Sequence, residues 1–427
     1  MNIRGIIRIV ILSAEFSVFA TDGHSVNANS EPVSMAMDDL ANTAIHNSKL
    51  ITAAERVVAA AQAGVWIAGA WDNPEFDAVL GEDRIGGPSG TGSGGAMRAQ
   101  ILFPFSFPGK RPLREAIAGR DLEAAKLALE QLRRETRIQA GEFAVRMVAA
   151  QWRAELFRRH LQREQAAISV LASAPAPSQA VQVEKRTVEL AVNVAMQGTL
   201  AAEGEATQAW LALDTLVHLH SAVPPSLSRS ILGLPESTTD LEKLGRQAVD
   251  GSNSLRTKAV KVRQAEEQLR LARLAPWPDI SVGPFYERAT AGDRETVQGI
   301  ALSMPLPLLS LGRGGISAAR AQADITRADA ESAHEDAVHQ TDQLKERISS
   351  AWARCRAVPL SELEEHEQFA QFAGEQFQKG GISLQVYLSA EAGVLEAADA
   401  ALDAHAEAAG AWWELNVLAA NQPEVKP

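Results

Sequence analysis

Met97-Arg98-Ala99-Gln100-Ile101-Leu102-Phe103-Pro104-Phe105, followed at once by Ser106-Phe107-Pro108-Gly109-Lys110-Arg111, is the stretch on which the fold turns. Met97, Ala99, Ile101, Phe103 and Phe105 fall on one face and Arg98 and Gln100 on the other, the period-two alternation of a strand with one apolar side. From Arg111 the pattern changes. To about Ala172 the chain is Ala, Leu, Glu, Gln and Arg with few breakers, the composition of one very long helix. Such a helix spans about 90 Å, far more than a compact domain needs.

Outward from this point the same signals occur twice, offset by about 200 residues. A helical stretch ends at Trp71-Asp72-Asn73-Pro74-Glu75-Phe76, and another at Pro276-Trp277-Pro278-Asp279-Ile280, with Pro74 answering Pro278. Each is followed by two alternating segments around a glycine-containing turn. Phe103-Pro104-Phe105 then matches Met304-Pro305-Leu306, and Gly109-Lys110-Arg111 matches Gly312-Arg313-Gly314. The second pair of strands reads from Ile280, Val282, Pro284 and Tyr286 on one face, and from Gln298, Ile300, Leu302 and Met304. The first strand, Glu75 to Asp83, alternates more weakly. Gly86 to Gly95 and Ala289 to Asp293 read as exposed flexible loops. The glycine run lacks the Lys-Ser/Thr ending and the following helix of a phosphate cradle.

The helices carry most of the chain. A second long one is expected from Gly315 to about Lys379, kinked or restarted at Pro359, with return helices from about Gln179 to His220 and from Ser383 to Ala420. Their apolar positions are often Ala, as at Ala124-Ala125, Ala128, Ala318-Ala319, Ala321 and Ala323, which allows close approach along a long seam. The organisation expected is therefore an export signal over 1–20, a first repeat over 21–222 with its hairpin at about 74–106 and long helices at about 110–222, and a crossover linker over 223–240. A second repeat follows over 241–421, with its hairpin at about 278–308 and long helices at about 313–420, and then a tail over 422–427. The signal rests on Arg4 and Arg8 before Ile9-Val10-Ile11-Leu12, with Val18-Phe19-Ala20 as the cleavage region. After it no run of about 18 apolar residues is expected to cross a membrane as a helix, so any crossing falls to the strands.

Each strand has about the length needed to cross a hydrocarbon layer at a tilt. Four strands cannot close a barrel and no open edge is tolerated in lipid, so several chains must build it together; three would supply twelve strands. The formal net charge of −12, with no basic face, excludes a nucleic-acid binder. Cys355 is the only cysteine, which excludes an internal disulfide and a multi-cysteine metal site.

In this order of motifs the chain resembles the TolC superfamily of outer-membrane efflux proteins, and most closely the cation-efflux branch typified by CzcC. The resemblance rests on Asn73-Pro74-Glu75, on Pro108-Gly109-Lys110-Arg111 with Arg114 and Ala118, and on Phe377-Gln378-Lys379-Gly380 with Ile382-Ser383-Leu384 and Leu388. It implies a mostly α fold with a small transmembrane β part: a trimeric twelve-stranded barrel continued by an α-helical coiled-coil tunnel, in the outer membrane and periplasm of a Gram-negative bacterium. It also implies the role of export conduit in a tripartite (RND-type) system for heavy-metal cations, with a homotrimer, a periplasmic adaptor protein, an inner-membrane RND pump and outer-membrane lipid as partners. Drug export, type I secretion by the same fold, or a soluble exported coiled-coil scaffold are the alternatives. Phe377, Gly380, Gly381, Ile382, Ser383, Leu384 and Leu388 then mark the periplasmic tip where the adaptor docks. Pro104, Gly109, Lys110, Arg111, Pro305, Gly312 and Arg313 mark the strand-to-helix passage, where the cations snorkel or meet anionic groups. The other tip, Ser173 to Ser178, has two prolines and no glycine.

No catalytic residue, cofactor or metal site is expected. His334 and His339 are five apart, not the four that put two ligands on one helical face, and His218 and His220 point to different faces. The family's acid after the tip glycine is absent: Val386 and Ser389 stand there, with Glu391 the nearest acid, so no cation-attracting ring is expected at that level. Cys355, Trp412 and Trp413 read as packing, the two indoles beneath the barrel, and Glu362-Leu363-Glu364-Glu365 and Arg133-Arg134-Glu135 as solvated faces.

Overall fold

The chain was analysed as a computed structural model, which describes residues 36–87, 90–172, 179–219, 224–225, 227–233, 240–290, 295–306 and 312–420. The expected signal segment and the proline-rich turn at Ser173 to Ser178 lie outside them. Helices α1 (Met37–Asn47) and α2 (Lys49–Gly69) lead into strands β1 (Glu75–Gly87) and β2 (Gly90–Phe105), and these into α3 (Lys110–Ala172) and α4 (Gln179–Val217). After the crossover, α5 (Leu241–Asp250) and α6 (Asn253–Leu274) lead into β3 (Ile280–Ala289) and β4 (Glu295–Ser303). Then come α7 (Arg313–Ala357), α8 (Leu360–Gln378) and α9 (Leu384–Ala419).

The strands form one antiparallel sheet in the order β1-β2-β3-β4. The glycine-rich stretch expected as a loop is mostly strand: β1 runs through Gly86 and Gly87 and β2 begins at Gly90, with Gly87 opposite Gly90. Ladder pairing across the hairpin overrides the weak strand preference of glycine. Register sorts the side chains. Phe76 faces Ile101, Leu80 faces Met97, Ala99 faces Tyr286, and Pro284 faces Ile300, which gathers these residues on one side, while Val79, Leu102, Phe285 and Val297 lie on the opposite one. Asp77, Gln100, Arg98 and Glu287 gather on the other.

α3 is 63 residues long, or about 95 Å, and is unbroken. Its counterpart is interrupted: α7 ends at Ala357, Val358 leaves the helical region, and Pro359 caps α8. A proline has no N–H to offer the carbonyl four residues back, which fixes the break. The seam between α3 and α9 brings Ala149 together with Ala398, Ala401 and Ala409, all buried, beside Val145, Val148, Leu156 and Leu402, while Ala140 and Ala144 meet α1 and α4. Cys355 packs among Ala351, Ala404 and Ala408, and burial pushes its thiol up to about 11.

Three expectations fail locally. α2 is, by length and composition, apolar enough to cross a membrane; its uncharged Ala-rich second half has that effect without forming a pure Leu/Ile/Val run. Arg133 joins α3 to Glu55 of α2 at 2.8 Å and Arg111 donates to the Gly69 carbonyl at 2.6 Å, so α2 lies along α3 in the helical layer. Arg134 is not on a solvated face: it is buried and donates to the Gly251 carbonyl at 3.0 Å. The third concerns His218, which lies beyond the end of α4 with a left-handed φ of 53°.

Trp412 and Trp413 do pack inward, Trp412 edge-on to Trp352 and Trp413 donating from Nε1 to the Arg137 carbonyl at 3.0 Å. They lie about 40 Å along α3 from the sheet, not beneath it. Gly141 makes room for Trp413, because a Cβ there would lie 2.0 Å from its Nε1. Gly141→Ala should therefore lower stability by about 1–3 kcal/mol. Gly119→Ala, with nothing within 4 Å of the new methyl, should be neutral or stabilising by up to about 1 kcal/mol. Thermal unfolding of the two variants side by side checks the contrast.

Candidate functional site

Two places gather the residues singled out in the sequence: the strand-to-helix passage and the turn between α8 and α9. At the passage each repeat uses a left-handed glycine, Gly109 with φ 95° and Gly312 with φ 68°, directly before α3 and α7. Both back onto one corner: a Cβ on Gly109 would meet Leu274 at 3.3 Å, and one on Gly312 would meet Pro276 at 3.5 Å. Side chains of ordinary residues are disfavoured in this conformation, and here they would also crowd that corner.

Asp279, which the sequence motif contains without marking it out, is the hub. Its Oδ1 accepts from the Phe107 N–H at 2.7 Å and from Lys110 Nζ at 3.0 Å, while Lys110 also donates to the Trp277 carbonyl at 2.7 Å. Burial alone would raise its carboxyl, but these donors outweigh it and hold Asp279 below the usual range. Phe107 stacks on Trp277 at 5.3 Å, and the Arg111 guanidinium lies over Trp71 at 4.4 Å. Arg114 donates to Ser106 Oγ at 2.6 Å. Pro104 pairs with Ser281 inside the sheet; Pro305 follows β4, and Arg313 opens α7. The cations expected to reach outward are thus, at Lys110 and Arg111, turned onto protein carbonyls, a carboxylate and an indole.

At the turn, Gly380 has φ 72°, and its N–H donates to the Phe377 carbonyl at 3.0 Å while Gly381 N–H donates to the Gln376 carbonyl at 2.8 Å. Ser383 Oγ then accepts from Val386 N–H and starts α9. The sequence-marked residues divide. Phe377 and Leu384 are buried in a cluster with Ala167, Val188, Ala373 and Tyr387, against which Ile382 and Leu388 pack. Phe377 and Leu384 hold the turn together from inside, Ile382 and Leu388 are half-buried, and Gly380, Gly381 and Ser383 are exposed. Tyr387, stacked on Phe377 at 5.1 Å, was not marked by the sequence, although its i+3 spacing from Leu384 puts it on the same face.

Above the turn lies a charged cluster. Arg163 donates to both oxygens of Glu391, at 2.7 and 3.0 Å, and to Glu367 at 3.2 Å, and His160 Nδ1 is 2.9 Å from Glu391. Glu391 is only 1% exposed, so the first acid of the return helix is locked inside the protomer. Burial would raise it, yet the His160 and Arg163 bonds hold it low. A groove of about 560 Å³ between α3 and α8 borders this cluster, lined by Trp152, Arg159, Arg163, Arg229 and Glu367.

Residues 244–421 match the family model for outer membrane efflux proteins. The nickel-cobalt-cadmium resistance protein NccC of Alcaligenes xylosoxydans xylosoxydans is 27% identical over 297 residues, which is 66% of this chain and 65% of that protein. Among solved structures, the outer membrane protein VceC of Vibrio cholerae superposes with a TM-score of 0.69 at 16% identity, covering 90% of this chain and 95% of that one. The outer-membrane channel OprN gives 0.70 at 15% identity, covering 96% and 98%. At these identities the likeness establishes the fold alone, the one that VceC and OprN share.

Removing Arg163 strands a buried carboxylate, so Arg163→Ala should destabilise the α3–α9 contact by about 3–5 kcal/mol, whereas Arg163→Ala with Glu391→Leu should recover part of the loss. Protease cleavage within 160–172 and 384–394 reads both, and equal protection in the single variant and wild type would contradict the expectation.

Proposed function

We propose that this chain, an outer-membrane efflux protein of the TolC type by family and by fold, is the exit channel of a tripartite efflux system and conducts cargo without doing chemistry on it. The four-stranded sheet is the observation that supports this most directly. One face carries Leu80 and Ile300, 79% and 77% exposed, with Phe76, Phe103 and Leu302; the other carries Asp77 bonded to Gln100 at 3.0 Å and Arg98 over Phe285. Apolar outside and polar inside is the arrangement of a membrane barrel wall. Both edges, β1 and β4, are open, so β4 of one copy pairs with β1 of the next, and three copies close twelve strands.

The helical layer fits the same closure. Its packing runs α2, α3, α6, α7 near the sheet, and farther from it α4, α3, α9, α8. The flanking helices expose Leu50, Val57 and Ile67 on α2, Val183, Leu190 and Val194 on α4, and Phe369 and Phe372 on α8. Neighbouring copies would cover these faces. The helices then form a periplasmic tunnel, and the exposed Gly380, Gly381 and Ser383 are where an adaptor would meet it, with an inner-membrane pump supplying the energy.

Heavy-metal cations are the cargo we favour. The resistance named for the NccC relative supports this, as do the residues sharing the polar sheet face: Glu75, Asp77, Glu287 and Glu295 against Arg98 alone. Such a lumen lowers the potential felt by a cation.

The expressed protein should fractionate with the outer membrane and migrate as a trimer that heating dissociates; a soluble monomer would remove the barrel and this function with it. Ile300→Arg, on the lipid side, should cost about 2–4 kcal/mol and deplete the trimer, while Val297→Arg, on the polar side, should not. At the turn, Gly380→Pro forces φ near −65° where 72° is needed and removes the N–H bonded to Phe377. Loss of adaptor co-purification and of metal resistance, with barrel insertion intact, is the expected result.

A further inference from the structure

Glu164 lies in α3, about 12 Å before the helix ends at Ala172. It is 1% exposed, and its Oε2 is buried without a hydrogen-bond partner. The bases beside it are committed elsewhere: His160 and Arg163 both bond to Glu391 of α9, and Arg163 also reaches Glu367 of α8. Glu391 therefore has its charge matched while a second carboxyl, facing the same cluster, does not. The packed cluster next to it along α3 is apolar or neutral, with Ala167 of α3, Tyr387 of α9, and Val188 and Val192 of α4. On α4 at this level Lys185 and Arg186 are exposed, and Arg186 pairs with Glu189. Burial pushes the Glu164 carboxyl up to about 7, with Glu391 adding to the rise and His160 and Arg163 opposing it.

We propose that Glu164 is a proton-operated fastener of the tunnel end: with a proton it lets α3 and α4 seat on α9 at Tyr387, and without one it sets a bare carboxylate against Glu391 and loosens that seat. The periplasmic location of this end rests on the channel function proposed above; the fastening itself does not. The direction follows from linkage. A carboxyl whose folded value lies above its ordinary one stabilises most in acid, and that contribution is lost as pH climbs from the ordinary glutamate range to about 7, then stays level. Glu391, held low, and Tyr387, driven upward by burial, keep their charge states across this span. His160, which bonds Glu391 in the same cluster, is the control.

Hydrogen exchange by mass spectrometry on the full-length protein in detergent, from about pH 5 to 8.5 and corrected for intrinsic rates, reads the fastener at 160–171 and 384–394. Wild-type protection there should fall at least about tenfold between pH 5 and 7 and then level off, while the sheet keeps its protection. Glu164→Gln, which mimics the protonated shape, should hold the acid level at every pH, and His160→Gln should keep the fall. A flat wild-type profile, a fall that survives in Glu164→Gln, or one that vanishes in His160→Gln would overturn the proposal; the wild-type profile decides even if a variant fails to fold. A soluble monomer would defeat the channel function but leave this exchange test standing.

Discussion

The hydrogen bonds that a four-stranded sheet cannot make with itself govern this molecule. β1 and β4 each present a row of backbone groups without a ladder partner in the sheet, and in hydrocarbon such groups cost several kcal/mol apiece, with no water to relieve them. Pairing between copies is the available remedy, and once it is imposed much else follows. In the proposed channel the apolar side faces lipid, the polar side faces the lumen, and the helices that leave the sheet continue the ring. The corner at Leu274 to Asp279 then has to turn both repeats from strand into helix within a few residues, which explains why two left-handed glycines and the Lys110–Asp279 pair converge on it.

What could be read from the sequence follows from how local the signals are. Alternation at Met97 to Phe105, the unbroken helix formers after Lys110, the break at Pro359 and the glycines before α3 and α7 are all set by neighbours a few residues away. Periodicity and backbone chemistry therefore suffice for them. The glycine run failed because its strand state is imposed by pairing across the hairpin, which composition does not record. Arg134 failed because the Gly251 carbonyl that receives it lies 117 residues away. Asp279 and Glu164 belong to the same class: each gains its role from residues on the other repeat. Only the shared face of Leu384 and Tyr387 left a trace, in their spacing.

The two repeats are copies in plan but unequal in material, and the inequality is concentrated at the tunnel end. The first contributes one continuous helix, α3, which carries His160, Arg163 and Glu164; the second contributes a helix interrupted at Pro359 and a return helix carrying Tyr387 and Glu391. The polar cluster therefore forms between repeats, where one moves against the other if the end opens. Elsewhere the α3–α9 seam packs Val145, Val148, Ala149 and Leu156 against Ala398, Ala401 and Leu402, and Arg153 ties it to Asp399 and Asp403. Charged groups thus fix positions along a seam whose apolar packing is not directional.

Stability alone would not select such a cluster. Burying Arg163, Glu367 and Glu391 takes three charges from water, and apolar residues of similar size often do as well or better. Its value lies in having two arrangements of different energy. A matched trio without Glu164 would be a permanent clasp, and Glu164 without the trio would be a solitary acid held neutral by burial. Together they give the seam a charge state that depends on the medium. They occupy the stretch just above the turn, and the stacked rings of Tyr387 and Phe377 join α9 to α8 between that seam and the turn.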